Sequence, residues 1–95
     1  MKNNTQTLLK KETSTKEETK QLLELKLVIY NDDVNTFQHV IECLIEYCNH
    51  SSEQAEQCAY IIHRKGKYCV KNGSFEKLKP MAEALLKNDL SVKIE

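Results

Sequence analysis

Two short polar clusters contain the residues of this 95-residue chain that could do chemistry. The first is Asn31-Asp32-Asp33, an amide and two carboxylates directly after a β-like run. The second is His63, which precedes Arg64 and Lys65 near a glycine. Turn formation and helix capping use the same residue types, because Asn and Asp side chains readily bond nearby backbone groups. Residue type alone therefore predicts a polar turn and a helix end, and leaves a binding role open.

Catalytic machinery has no support in the sequence. The chain has no G-x-S-x-G nucleophile motif and no cysteine–histidine signature. Its two glycines, Gly66 and Gly73, are too few for a phosphate-binding loop. We therefore predict a protein that is not an enzyme, with no catalytic residues and no cofactor.

Four cysteines are many for so short a chain, and they raise an alternative. They are Cys43, Cys48, Cys58 and Cys69. None forms the C-x2-C pair that is typical of zinc sites, although His50 lies near Cys48 in the sequence. Small, mostly buried thiols are the simpler interpretation, with no metal. The alternative is a small cytosolic Cys/His metal-binding or redox protein.

Composition narrows the partners and the location. Formal net charge is zero and the pI is near 6.8, so the basic face of a nucleic-acid-binding protein is missing. No apolar run approaches the roughly 20 residues that span a bilayer, and the first residues lack the apolar stretch of a secretory signal. We expect a cytoplasmic protein that binds neither nucleic acid nor membrane.

Hydrophobic patterning divides the chain in two. Residues 1–24 are polar and lack aromatic side chains, so they cannot bury enough apolar surface to offset their ordering entropy, and we predict a flexible extension. Residues 25–95 carry strand-like and helix-like patterns in the order β-α-α-β-α-β. This order predicts an α+β domain, a small three-stranded antiparallel sheet packed with three helices.

Particular residues mark where these elements begin and end. Asn35 is expected to cap the first helix with Gln38 three residues on, and Ser51 to cap the second in the same way. The second strand is expected at residues 68–70, closed by a turn at residues 72–73. Pro80 loses a backbone hydrogen bond, so the third helix is predicted to begin properly near residue 79, after one turn from residue 74. The last strand is expected at residues 90–94.

In this arrangement the two polar clusters resemble the ClpS family of protease adaptors. The resemblance rests on the hydrophobic strand that runs into Asn31-Asp32-Asp33, on Val40 in the next helix, and on His63 within a His-x-x-Gly-Lys segment. It extends in register from about residue 26 to residue 95. It implies a protein that binds destabilising, bulky hydrophobic N-terminal residues (N-degrons) of substrates. It also implies delivery to a Clp AAA+ unfoldase–protease, ClpA- or ClpC-like.

The same resemblance assigns roles to individual residues. Asn31, Asp32 and His63 would bind the α-amino group of the ligand. The remaining assignments place the pocket wall at Phe37, Val40, Ala59 and Leu90, the pocket rim at Asp33 and Asn35, and docking on the unfoldase at Glu76.

Three positions depart from the family pattern. Asn35 replaces the usual Thr, Phe37 replaces a Met and is larger, and Ala59 replaces a second Met and is smaller. Losing bulk at residue 59 would widen the cavity, whereas Phe37 could refill it from the opposite side. As a hypothesis, the pocket therefore admits β-branched residues that the usual side-chain set does not.

Overall fold

The computed structural model describes residues 24–95, so the predicted flexible extension, apart from Glu24, lies outside the described residues. The predicted order of elements and the α+β class are confirmed. The elements are β1 (Leu25–Tyr30), α1 (Phe37–Cys48), α2 (Ser52–Lys65), β2 (Lys67–Gly73), α3 (Phe75–Lys87) and β3 (Ser91–Ile94).

The sheet has the strand order β2-β1-β3, and both pairs are antiparallel. In the central strand, Ile29 lies opposite Tyr68 on one side and Val92 on the other. A bulge interrupts the β1–β2 register after Leu27. β2 is longer than predicted because its last residues pair with the start of β1, with Gly73 opposite Leu25. The expected turn at residues 72–73 is therefore the end of the strand.

One hydrophobic core joins the sheet to all three helices. Leu27 and Ile29 point into it from β1 and are almost completely buried. Each helix contributes the apolar stripe that its periodicity predicts, such as Leu44 from α1 and Leu85 from α3. Burying such a stripe is what fixes each helix on the sheet, since helices this short are marginal in isolation.

Of the two predicted helix caps, the one for α1 is wrong and the one for α2 is confirmed. Thr36, rather than Asn35, caps α1, and its side chain accepts a hydrogen bond from the backbone N–H of His39. The side chain of Asn35 instead forms hydrogen bonds with Asp32 and Asp89, so the hydroxyl of Thr36 caps the helix. Ser51 caps α2 as predicted, in a reciprocal capping box with Gln54.

The prediction that Pro80 delays the third helix is wrong. α3 runs without interruption from Phe75 to Lys87, and the side chain of Ser74 caps it by accepting from the N–H of Lys77 at 3.2 Å. Proline removes one backbone donor from the helix. The buried side chains on either side of it, Leu78 and Ala82, hold both segments in one helix against the sheet.

A single backbone hydrogen bond links the end of β1 to the end of α2. The N–H of Asn31 donates to the carbonyl oxygen of Gly66 at 2.8 Å. Gly66 ends α2 in the left-handed conformation, with φ of 93°. The chain then turns directly into β2, where Lys67 pairs with Tyr30.

We predict that Gly66→Ala lowers the free energy of unfolding by about 1 kcal/mol, because a Cβ disfavours the left-handed conformation. There is free space around the position, so backbone strain and not a clash would be the cause. Urea denaturation measures the loss. Gly66→Asn is the matched control and should cost less, since Asn49 adopts a left-handed conformation at the end of α1. Equal losses in both variants would contradict the strain argument.

Candidate functional site

A cavity of about 440 Å³ opens between the loop that follows β1 and the last turns of α2. Its mouth is polar and its interior is apolar. The residues that line it are Asn31, Asp32, Asp33, Asn35, Thr36, Phe37, Val40, Ala59, Ile62 and His63.

The structure brings the three predicted amine-binding residues to this one cavity. Asn31 and Asp32 follow β1 directly, and His63 lies in the last turn of α2. They are about thirty residues apart in the chain, but the hydrogen bond from Asn31 to Gly66 places the two segments side by side. Asn31 and His63 are exposed and Asp32 is half-buried. The cavity mouth thus combines acceptor groups with a carboxylate.

The Asp32 carboxylate organises the loop around it. Its Oδ1 accepts from the backbone N–H groups of Val34 and Asn35 at 3.0 and 2.9 Å. Its Oδ2 accepts from the hydroxyl of Ser91 at 3.0 Å, and the Asn35 amide bonds both oxygens. These bonds favour the ionised form, so the pKa of Asp32 is lowered, chiefly by the backbone N–H of Asn35. The turn-forming role that residue type alone suggested is therefore real.

Asn35 ties this loop to the beginning of β3. Besides bonding Asp32, its Nδ2 donates to the carbonyl oxygen of Asp89 at 2.8 Å. A parallel link comes from α1, where Nε2 of His39 donates to the carbonyl oxygen of Asn88 at 2.9 Å. The predicted rim residues Asp33 and Asn35 both line the cavity. The hydrogen bonds of Asn35 also hold the loop in position.

Three of the four predicted wall residues line the cavity, and the fourth lies behind it. Phe37, Val40 and Ala59 are on its surface. Leu90 is buried and lines an adjoining narrow hollow of about 10 Å³, which shares five residues with the cavity, Val40 and Ile62 among them. Ile62 was missed as a wall residue, although it follows Ala59 by three positions on the same helix face and precedes His63.

The substituted wall positions leave the cavity open. Ala59 is 2% exposed, so its small side chain forms part of a closed wall. Phe37 is 47% exposed and stands at the mouth, where it lines the cavity without being enclosed. The cavity is therefore bounded at residue 59 by a single methyl group and at residue 37 by an exposed ring.

The structure of residues 24–95 gives no support to the metal-binding or redox alternative. Within residues 24–95, no group of three His, Cys, Asp or Glu side chains is placed to hold a metal ion. Cys43, Cys48 and Cys58 are buried as free thiols, and burial raises the pKa of Cys48 to about 11. A thiol with so high a pKa is neither a ready metal ligand nor a nucleophile at neutral pH.

Buried His50 has a structural role beside these thiols. Its Nε2 donates to the carbonyl oxygen of Val70 at 2.9 Å. Its Nδ1 faces the thiol of Cys58 at 3.8 Å. The imidazole thereby connects the segment between the first two helices to β2 through the core.

Glu76, predicted to dock on an unfoldase, is exposed in the first turn of α3. It is not among the residues that line the cavity. The residue predicted for docking therefore lies outside the residues predicted for ligand binding. None of the helices within residues 24–95 is long and apolar enough to cross a membrane.

The hydrogen bonds of Asp32 predict a specific loss of stability in acid. Because its pKa is lower when folded than the ordinary value of about 3.9, its contribution is present above that value and is lost as the pH falls through the folded-state pKa. Asp32→Asn should therefore show a shallower fall in melting temperature than the wild type below about pH 4. Asp33→Asn, which removes the exposed neighbouring carboxylate, serves as the control. The same slope in Asp32→Asn and the wild type would contradict the prediction.

Two comparisons with known proteins, one with family models and one with individual relatives, agree on the family. The family model for the ATP-dependent Clp protease adaptor protein ClpS matches residues 20–93. The ClpS adapter protein of Thermosynechococcus vestitus is 37% identical over 68 residues, which cover 70% of this chain and 72% of the relative. That of Nostoc is 64% identical over 22 residues, 23% of each chain.

A solved structure shares the fold. The structure of Agrobacterium tumefaciens ClpS2 bound to L-phenylalaninamide superposes with a TM-score of 0.69 at 23% identity, over 76% of this chain and 94% of that one. The family model and the relatives agree with the resemblance found in the sequence. The chain belongs to the ClpS family of ATP-dependent Clp protease adaptor proteins.

Proposed function

We propose that this adaptor captures proteins by a free, bulky hydrophobic N-terminal residue and delivers them to a Clp unfoldase. The observation that carries the proposal is the meeting of Asn31, Asp32 and His63 at the mouth of an apolar cavity. The related ClpS2 was solved with L-phenylalaninamide, a compound that presents a free amino group beside an apolar side chain.

The polar mouth suits an α-ammonium group, which is a compact cation with three N–H donors. The amide oxygen of Asn31 and an unprotonated nitrogen of His63 can accept two of them. The oxygens of Asp32 already accept bonds from Val34, Asn35 and Ser91. Because these oxygens are occupied, Asp32 attracts the ammonium group mainly by its negative charge, in direct contact or through a bound water.

The apolar interior suits the side chain of that same residue. Val40, Ala59 and Ile62 are buried and line the cavity. Enclosing one large hydrophobic side chain is worth roughly 1.5–3 kcal/mol. Recognition is thus divided: the polar mouth selects a free chain end, and the cavity selects the side chain.

Delivery requires surfaces outside the cavity. We assign docking on the unfoldase to Glu76, in the first turn of α3, and delivery to the extension of residues 1–24. The partner would be a ClpA- or ClpC-like unfoldase in the cytoplasm. No step of this function breaks a covalent bond, so the protein acts as a binding module.

The decisive experiment compares two peptides that differ by one acetyl group. A peptide beginning with Leu or Phe should bind measurably by isothermal titration, and its N-acetylated form should bind at least tenfold more weakly. Losing a charge-assisted hydrogen bond costs roughly 1.5–3 kcal/mol, and 1.4 kcal/mol is about a factor of ten. His63→Ala should reduce the affinity for the free peptide by a similar factor.

Tyr68→Ala is the matched control, since Tyr68 is an exposed side chain on β2 away from the cavity. It should bind the free peptide as the wild type does. Equal affinity of the wild type for the free and acetylated peptides would refute amine recognition.

Ala59 predicts a broadened side-chain preference. The wild type should bind peptides that begin with Ile or Val within about tenfold of one that begins with Leu, because the single methyl group of Ala59 leaves more room for a β-branched side chain than a Met at that position would. Ala59→Met fills that space and should selectively weaken Ile and Val peptides in the same titrations. Leu and Phe binding with no detectable Ile or Val binding in the wild type would contradict this prediction.

A further inference from the structure

A second hollow, larger than the cavity, runs between α1 and α2 on the outside of the molecule. Its volume is about 670 Å³. Ile41 is buried and forms part of its floor, and Phe37, Tyr60 and Ile61 form its apolar walls. We call this surface the α1–α2 groove.

The walls of the α1–α2 groove are unusually exposed for large hydrophobic side chains. Phe37 is 47% exposed and Tyr60 is 53% exposed. Tyr60 is nevertheless held in place, because Nη1 of Arg64 donates to its hydroxyl at 2.7 Å and the guanidinium lies 5.5 Å from the ring centroid. A fixed, exposed aromatic wall is typical of a surface that binds a partner.

The groove is continuous with the candidate site. Phe37 lines both the cavity and the groove. On α2, Ala59 faces the cavity and the next residue, Tyr60, faces the groove. A polypeptide whose first residue occupies the cavity and whose chain leaves past Phe37 would enter the groove with its next residues. At about 3.3 Å per extended residue, neighbouring side chains of the substrate reach it without a long linker.

We infer that the α1–α2 groove binds apolar side chains at the second and third positions of the substrate. This inference rests on the proposed function, since it needs the first residue anchored in the cavity. The continuity through Phe37 favours this occupant over a second copy of the chain. The adaptor therefore reads a short N-terminal sequence and not one residue alone.

The test uses two labelled peptides that are identical except at positions two and three. One begins Leu-Ile-Ile and the other begins Leu-Ser-Ser, and fluorescence anisotropy with the full chain measures both. We expect the first peptide to bind roughly fivefold more tightly, in line with partial burial of one apolar side chain. Tyr60→Ser should reduce this advantage to less than about twofold and leave the affinity for Leu-Ser-Ser unchanged. Tyr68→Ser, at a similarly exposed tyrosine outside the groove, should retain the full advantage.

The other possible outcomes distinguish failure of this inference from failure of the proposed function. If both peptides bind the wild type equally, the inference fails and the proposed function stands. If neither binds, the proposed function fails and the inference with it. Equal weakening of both peptides by Tyr60→Ser would also overturn the inference. So would sedimentation data in which the wild type dimerises and Tyr60→Ser does not, because a second copy would then occupy the groove.

Discussion

The hydrogen bond from the Asn31 N–H to the Gly66 carbonyl is the contact on which the site depends. It joins the end of the central strand to the end of the second helix. The loop with the carboxylates begins at one partner, and His63 lies three residues before the other. Because Gly66 is also where the chain turns into β2, the pairing of β1 with β2 holds the same junction from the other side. Pairing of β1 with β2 therefore also holds the two segments of the site next to each other.

A second set of bonds fixes the opposite side of the loop. The carboxylate of Asp32 accepts a hydrogen bond from the hydroxyl of Ser91, and the side chain of Asn35 donates one to the backbone carbonyl of Asp89. The loop thus connects the end of β1 to Gly66, just before β2, and to Asp89 and Ser91 at the start of β3. An ionised Asp32 serves two purposes at once, since the negative charge that orders the loop also lies at the mouth of the cavity.

Four cysteines in a short chain suggested chemistry that the fold does not use. The buried thiols fill the spaces between helices and sheet, as small hydrophobic residues do. The cavity, in contrast, is lined at residue 59 by a small side chain, that of Ala59. The α+β core supports a polar mouth above one apolar cavity. This architecture suits recognition.

The sequence by itself determined the elements and indicated which residues to consider for amine binding. Alternating and helical apolar patterns are local, and so are the capping box at Ser51 and the left-handed end at Gly66; each could be predicted from a few neighbouring residues. The resemblance then indicated Asn31, Asp32 and His63 without knowledge of their distance in space.

Only the tertiary structure decided the features that depend on partners remote in sequence. Asn35 does not cap α1 because Asp32 and the backbone of Asp89 bind its side chain. α3 passes through Pro80 because burial of Leu78 and Ala82 against the sheet outweighs one missing hydrogen bond. The packing of the helices on the sheet sets three further features, and no local sequence pattern encodes that packing. They are the position of Leu90 behind the cavity wall, the presence of Ile62 in that wall, and the groove beside Phe37.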